Sequence, residues 1–246
     1  MRLFGLIGYP LAQSFSKKFF SAKFEREGRE DCKYELFEIR SIDELSELMR
    51  SNPDLEGLNV TIPYKQLVLP FLHSMEGLPV GLAACNCIRI KDGKLSGYNT
   101  DVTGFEKSLV PQLKPHHTKA LVLGNGGATA AVVYVLDKLG IDHTIVSRRK
   151  GIGSTITYDQ MTEQVMHEHT LIINTTPVGS FPAVDQCPNI PYQFITSNHY
   201  LFDVVYNPDK SLFLQKGEER GASVKNGYEW LVVQAEESWV IWNLVD

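Results

Sequence analysis

Residues 119–131 read KALVLGNGGATAA, and the reading of this stretch decides the fold. Lys119 to Leu123 has the apolar run of a buried strand, Gly124 to Gly127 forms a glycine turn, and Ala128 to Leu139 is an Ala/Val/Leu helix ended by Gly140. Glycines at such a junction let the backbone approach a pyrophosphate, whose charge meets the N–H groups at the helix N-terminus. Strand-to-helix turns also use glycine for steric reasons alone, and the third fingerprint position holds Thr129 in place of Gly or Ala. The next strand end says more. About 20 residues on, where a NAD site wants an acid for the ribose 2′-hydroxyl, the chain reads Ser147-Arg148-Arg149-Lys150. Guanidinium forks suit a 2′-phosphate, so the cluster favours NADP over NAD; the plain alternative is a solvated basic turn.

Downstream of the turn the pattern repeats. His143 to Val146 reads as a strand, Thr157 with Gln160 as the cap of a helix, and Thr170 to Asn174, Leu201 to Val205 and Ala222 to Val224 as further strands, the last two joined by a helix from Ser211. Such alternation implies a parallel, doubly wound sheet. A final helix from Tyr228 to Val245 places Tyr228, Leu231, Ala235, Trp239 and Trp242 on one stripe. Upstream, Pro111, Pro115 and the polar run Lys114 to Lys119 read as a domain boundary.

The first third has its own strands and helices. Leu3 to Gly8, Tyr34 to Ile39 and Leu58 to Ile62 read as strands, and Ser16 to Glu27 as a helix with Phe19, Phe20 and Phe24 on one face. Ser41 and Glu44 form a capping box for a helix stopped by Asn52-Pro53. Asp92-Gly93 turns a hairpin within 86–98, and Asp101 caps a helix running toward Leu113.

The chain has 246 residues, 43% apolar and 22% charged, with 24 Lys+Arg against 29 Asp+Glu for a net charge of -5. One large domain or two modest ones fit this length. A mildly acidic chain with dispersed charge gives no reason to expect nucleic acid or anionic membrane as a partner. No apolar run approaches a bilayer span, and Gly8 and Pro10 break the opening before a secretory segment could form. Four cysteines are too few for a disulfide framework and point to reduced thiols in a cytoplasm. Cys85 and Cys87 share a strand face but supply only two metal ligands, so no metal is expected.

Three polar stretches of the first third fall where strands end, which is where open α/β sheets bind ligands. They are residues 14–16, 59–65 and 99–101. Ser14 and Ser16 have the spacing to meet one carboxylate, and equally read as helix N-caps. Asn59 and Thr61 share a strand face, which an edge strand would also explain. Lys65 and Asp101 form a candidate proton-transfer pair, with a solvent-exposed lysine and a capping aspartate as the plain alternatives.

Taken in order along the chain, these motifs resemble the shikimate dehydrogenase family, the shikimate/quinate dehydrogenases. Gly8-Tyr9-Pro10 with Ser14-Phe15-Ser16 matches the family's opening, and Asn59 to Lys65 matches its Asn-Val-Thr-x-Pro-x-Lys without a gap. Asn86, the segment 97–105 around Asn99-Thr100-Asp101, the turn 124–128, the segments 174–179 and 203–208, and the closing Gly227 to Ala235 follow in family order. Departures are Gln13 and Lys17 where His and Pro are common, Cys87 for a Thr, and Ser180 and Trp230 where Met is usual.

The resemblance implies NADP-linked, reversible reduction of 3-dehydroshikimate to shikimate. It assigns Lys65 and Asp101 to catalysis and Ser14 and Ser16 to the substrate carboxylate, with Thr61, Asn86, Tyr206 and Gln234 around the ring. Cofactor contacts fall to Gly124, Asn125, Gly126, Gly127, Ala128, Ser147, Arg148, Arg149, Thr175, Thr176, Val204 and Gly227. The expected architecture is two-domain α/β, with a substrate-binding and catalytic domain of residues 1–101 and 228–246. A Rossmann-like, doubly wound NADP-binding domain would span 102–227, and the last helix would pack back on the first domain. A cytoplasmic monomer or homodimer acting on a small molecule is expected. The alternatives are a quinate/shikimate enzyme using NAD or NADP, and a sensor of the same fold that binds without turnover.

Overall fold

The computed structural model describes residues 1–11, 14–149, 151 and 155–245. They divide into two units, Met1–Thr103 with Leu231–Asp246, and Gly104–Trp230. The polar run 114–119 falls inside the second unit.

In the first unit the order is β1 (Arg2–Gly8), α1 (Phe15–Arg26), β2 (Cys32–Glu38), α2 (Leu45–Ser51), β3 (Leu55–Val60), α3 (Tyr64–Leu67), β4 (Ser74–Gly77), β5 (Cys87–Lys91), β6 (Lys94–Tyr98) and the first turn of α4 (Thr100–Leu109), whose remainder belongs to the second unit. The sheet order is β2-β1-β3-β5-β6-β4. β1 pairs in parallel with β2 and β3, while β5 runs antiparallel to both β3 and β6. Asp92 and Gly93 take positive φ at the β5–β6 hairpin, the conformation its Asp-Gly turn requires. The Ser41–Glu44 capping box is present but opens a 3-10 turn that leads into α2.

Alternation along β1 splits the core in two. Ile7 faces a cluster with Leu45, Leu58, Val60, Tyr64 and Ile88. Phe4 and Leu6 face the other side, with Phe20 and Phe24 of α1 and Ala235, Trp239, Ile241 and Trp242 of the last helix. Trp242 stacks on Phe4 with ring centroids 4.9 Å apart and donates its indole N–H to the Ile88 carbonyl at 3.0 Å. Gly57 of β3 makes room for it, because a Cβ there would run into the Trp242 ring.

The second unit contains β7 (Lys119–Leu123), α5 (Gly127–Lys138), β8 (Asp142–Ser147), β9 (Ile156–Thr157), α6 (Glu163–Glu168), β10 (Leu171–Asn174), β11 (Tyr200–Asp203), α7 (Leu212–Glu218) and β12 (Ser223–Lys225). Its sheet is wholly parallel in the order β12-β11-β10-β7-β8-β9. The chain winds outward from β7 to one edge and from β10 to the other, so the order reverses between these two central strands, the switch point of a doubly wound sheet. Two readings shift locally. Thr157 and Gln160 bracket a 3-10 turn, and α6 has its own cap, the Thr162 hydroxyl accepting from Val165 N–H. α8 (Tyr228–Trp242) stops short of Val245, and Tyr228, 53% exposed, lies off the buried stripe.

Candidate active site

The carboxyl ends of β1, β3 and β6 and the amino end of β5 share one end of the first sheet, as the pairings Ile7 with Val60, Asn59 with Cys87 and Cys87 with Tyr98 require. From that end emerge the chain to Ser14, the segment Thr61 to Lys65, the approach to Asn86, and Asn99 to Asp101. Asn59 therefore belongs to a central strand flanked by β1 and β5, with Thr61 just beyond its end, and the edge-strand explanation fails.

Lys65 on α3 reaches Asp101 on the first turn of α4, with Nζ 2.6 Å from Oδ2. Their side chains are only 20% and 13% exposed, so water screens the pair far less than it would a surface bridge. Asp101 is not the cap of α4. Asn99 takes that place, accepting from Val102 N–H at 3.2 Å while its amide donates to the Ala84 carbonyl at 2.8 Å. Lys65 is held through its own main chain as well, its carbonyl accepting from Cys85 N–H at 2.8 Å. Burial pushes the Cys85 thiol up to about 11 and raises that of Cys87 too, so both stay neutral near the ion pair.

Ser14 caps α1, its hydroxyl oxygen accepting from Lys17 N–H at 3.3 Å. Ser16 lies on the first turn of α1. Thr61 extends the β3 ladder by donating its N–H to Ile7 at 3.0 Å. Asn86 is buried and gripped twice by Thr100: its Oδ1 accepts Thr100 N–H at 2.7 Å and its amide donates to Thr100 Oγ1 at 3.0 Å. Gln234 on α8 is 7% exposed and donates to the Leu231 carbonyl at 3.0 Å.

In the second unit, Gly124 has φ of +109°, a conformation that disfavours other residues. Thr129, the departure at the third fingerprint position, is buried and ties the turn: its hydroxyl accepts from Gly126 N–H at 3.0 Å, meets the Gly124 carbonyl at 3.2 Å and lies 2.9 Å from Thr175 Oγ1. Thr175 donates both N–H and hydroxyl to the Leu123 carbonyl, at 2.9 and 2.8 Å. Thr176 donates its N–H and hydroxyl to Asn174 Oδ1. Val204 N–H goes to the Asn174 carbonyl at 3.0 Å, and Gly227 N–H to the Val205 carbonyl at 3.2 Å. Ser147 ends β8 with its hydroxyl on the Arg149 carbonyl at 2.5 Å. Arg148 and Arg149 are exposed, and Arg148 makes no ion pair among the described residues. Lys150 and Gln13 lie outside the described residues. Tyr206 follows β11 and is 37% exposed, its phenol raised by burial.

These residues fit a dinucleotide with a 2′-phosphate. Gly126, the N-cap of α5, faces open space where a Cβ would stand. Gly127 and Ala128, the first residues of α5, carry N–H groups that a helix start leaves without intrahelical acceptors. Arg148 and Arg149 at the end of β8 bring exposed guanidinium groups. Among the described residues, no group of three or more His, Cys, Asp or Glu could hold a metal ion, and no helix is long and apolar enough to cross a membrane.

Residues 6–88 match the shikimate dehydrogenase substrate binding domain. The shikimate dehydrogenase (NADP(+)) of Clostridium beijerinckii is 36% identical over 252 residues, covering 98% of this chain and 92% of that protein. The chain belongs to the shikimate dehydrogenase family. Shikimate dehydrogenase from Aquifex aeolicus superposes with a TM-score of 0.84 at 31% identity, covering 99% of this chain and 92% of the other. The Thermus thermophilus shikimate 5-dehydrogenase, solved in complex with NADP(H) and shikimate, gives 0.84 at 26% identity, covering 99% and 94%.

Several buried polar residues of this shikimate dehydrogenase family member escape a reading by spacing. Ser238 lies on an apolar helix, yet its hydroxyl contacts three other residues; Thr100 holds Asn86. Asp203, fully buried at the end of β11, accepts from Asn174 at 2.9 Å, Val205 N–H at 3.0 Å and the Ser211 hydroxyl at 2.5 Å. A buried polar residue on an otherwise apolar stripe is the one signal that would have found Ser238.

Proposed function

We propose that this protein is an NADP-dependent shikimate dehydrogenase, reducing 3-dehydroshikimate reversibly to shikimate in the chorismate route to aromatic amino acids. The observation that carries the reading is the largely sequestered Lys65–Asp101 pair, 2.6 Å apart at the strand ends, in a chain of this family. NADPH, when bound, supplies the hydride to the C3 carbonyl. Lys65 gives a proton to the oxygen as negative charge develops there, and Asp101 keeps the ammonium aimed. Ser14 takes the Lys17 N–H on its oxygen, leaving the hydroxyl proton for the substrate carboxylate, with Ser16 beside it in the same role. Thr61, Asn86, Tyr206 and Gln234 bind around the ring, so that the carbonyl is held in a reactive pose.

On the cofactor side, Gly124, Asn125, Gly126, Gly127 and Ala128 take the pyrophosphate, and Ser147, Arg148 and Arg149 the 2′-phosphate. Thr175, Thr176, Val204 and Gly227 line the remainder. The free cysteines agree with a reducing cytoplasm. NADPH formation from shikimate at mildly alkaline pH, with quinate and NAD as comparison substrates, tests the reading; kcat/KM higher with NAD would refute the 2′-phosphate role of Arg148. Lys65→Ala is expected to lower kcat by about 10²–10⁴-fold while shikimate still binds by calorimetry. A folded variant that bound substrate and kept more than about a tenth of the wild-type kcat would remove Lys65 from proton transfer.

A further inference from the structure

The last helix carries Gln234, and its apolar surface alone does not settle which way that side chain points. Trp230, Ala235, Trp239, Ile241 and Trp242 are all buried, and apolar contact is non-directional. Directional contacts sit one turn further on. Ser238 Oγ, fully buried, accepts from Asn59 Nδ2 at 2.9 Å and donates to the Gln234 carbonyl at 2.8 Å. It also lies 3.4 Å from Thr100 Oγ1. With its one proton on Gln234, Ser238 receives the Thr100 proton, and Thr100 in turn grips Asn86. On the other side, Asn59 Oδ1 accepts from the Tyr34 hydroxyl at 2.8 Å. Asn59 thus has its amide oriented by a donor at one end and an acceptor at the other.

We propose that Ser238 is a positioning residue, a rotational pin that sets the azimuth of the last helix on β3 and thereby aims Gln234 at the substrate. Residues 234 and 238 lie about one turn apart on the same face, so fixing one fixes the other. Buried hydrogen bonds specify a unique arrangement where hydrophobic burial allows several. The role of Gln234 as substrate ligand rests on the function proposed above; the pin itself rests on the contacts of Ser238.

The test is a double-mutant cycle of Ser238→Ala with Gln234→Ala, read in KM for shikimate, KM for NADP and kcat. Ser238→Ala alone is expected to raise KM for shikimate about three- to tenfold, the loss of one ligand hydrogen bond, with KM for NADP unchanged. In the Gln234→Ala background the same substitution should change KM for shikimate less than about twofold. An equal factor in both backgrounds, or none in the first, overturns the pin. Asn59→Leu, which removes the donor from the opposite side, is the second variant should Ser238→Ala fail to fold, and is expected to give the same pattern. If the wild-type protein turns over no shikimate, the proposed function fails while the pin stays testable. The side-chain amide NMR signals of Gln234 should then shift in Ser238→Ala, and unshifted signals would overturn the pin.

Discussion

A guanidinium at a strand end and an ammonium beside a carboxylate do separable work, and substitution should separate them. Arg148 is exposed and is proposed above to take the 2′-phosphate, so Arg148→Ala is expected to raise KM for NADP by about 10–100-fold, the worth of charge-assisted hydrogen bonds. KM for shikimate should hold, and KM for NAD should move little; steady-state kinetics with both cofactors checks this. The residue types at Lys65 and Asp101 were legible in the sequence, whereas their contact was not, because 36 residues separate them and only the sheet pairing closes that distance. Asp101 also misled as a cap. Asn99, two residues earlier, has the side chain that accepts from the first turn, which frees the carboxylate for Lys65.

At the scale of elements, strands and helices with strong period or punctuation could be read directly: the strand 119–123 and the Asp-Gly hairpin are examples. Short elements could not. α3 and β4 have four residues each, too few to show a period, and exist through tertiary packing and ladder bonds. The stripe on the last helix was legible down to Ala235, Trp239 and Trp242, but what admits Trp242 is a glycine on a distant strand. Gly57→Ala should therefore destabilise the protein by about 1–3 kcal/mol through overpacking. Urea unfolding followed by tryptophan fluorescence would measure it, and an unchanged midpoint would mean that the sheet yields easily there.

For the molecule as a whole, buried charge sets part of the response to pH. Burial pushes Asp203 from its ordinary 3.8 up to about 6, against the pull of the Ser211, Val205 and Asn174 donors. The folded protein thus holds this proton more firmly than the unfolded chain does. Its contribution to stability is full below about pH 4 and is lost as pH rises through about 6. Asp203→Asn removes that dependence. The stability difference, wild type minus variant, should be larger at pH 4.5 than at pH 7.5 in urea titrations, and an equal difference at both would contradict the shift.

The first unit is made of two pieces of chain with the whole second unit spliced between them, and this bears on synthesis. Domains generally fold in the order in which they leave the ribosome. Here Phe4, Phe20 and Phe24 must wait for Trp239 and Trp242 before their side of the sheet is covered. This early segment is thus sealed late, and the nascent chain carries an uncovered aromatic face until residues 239–242 have been made.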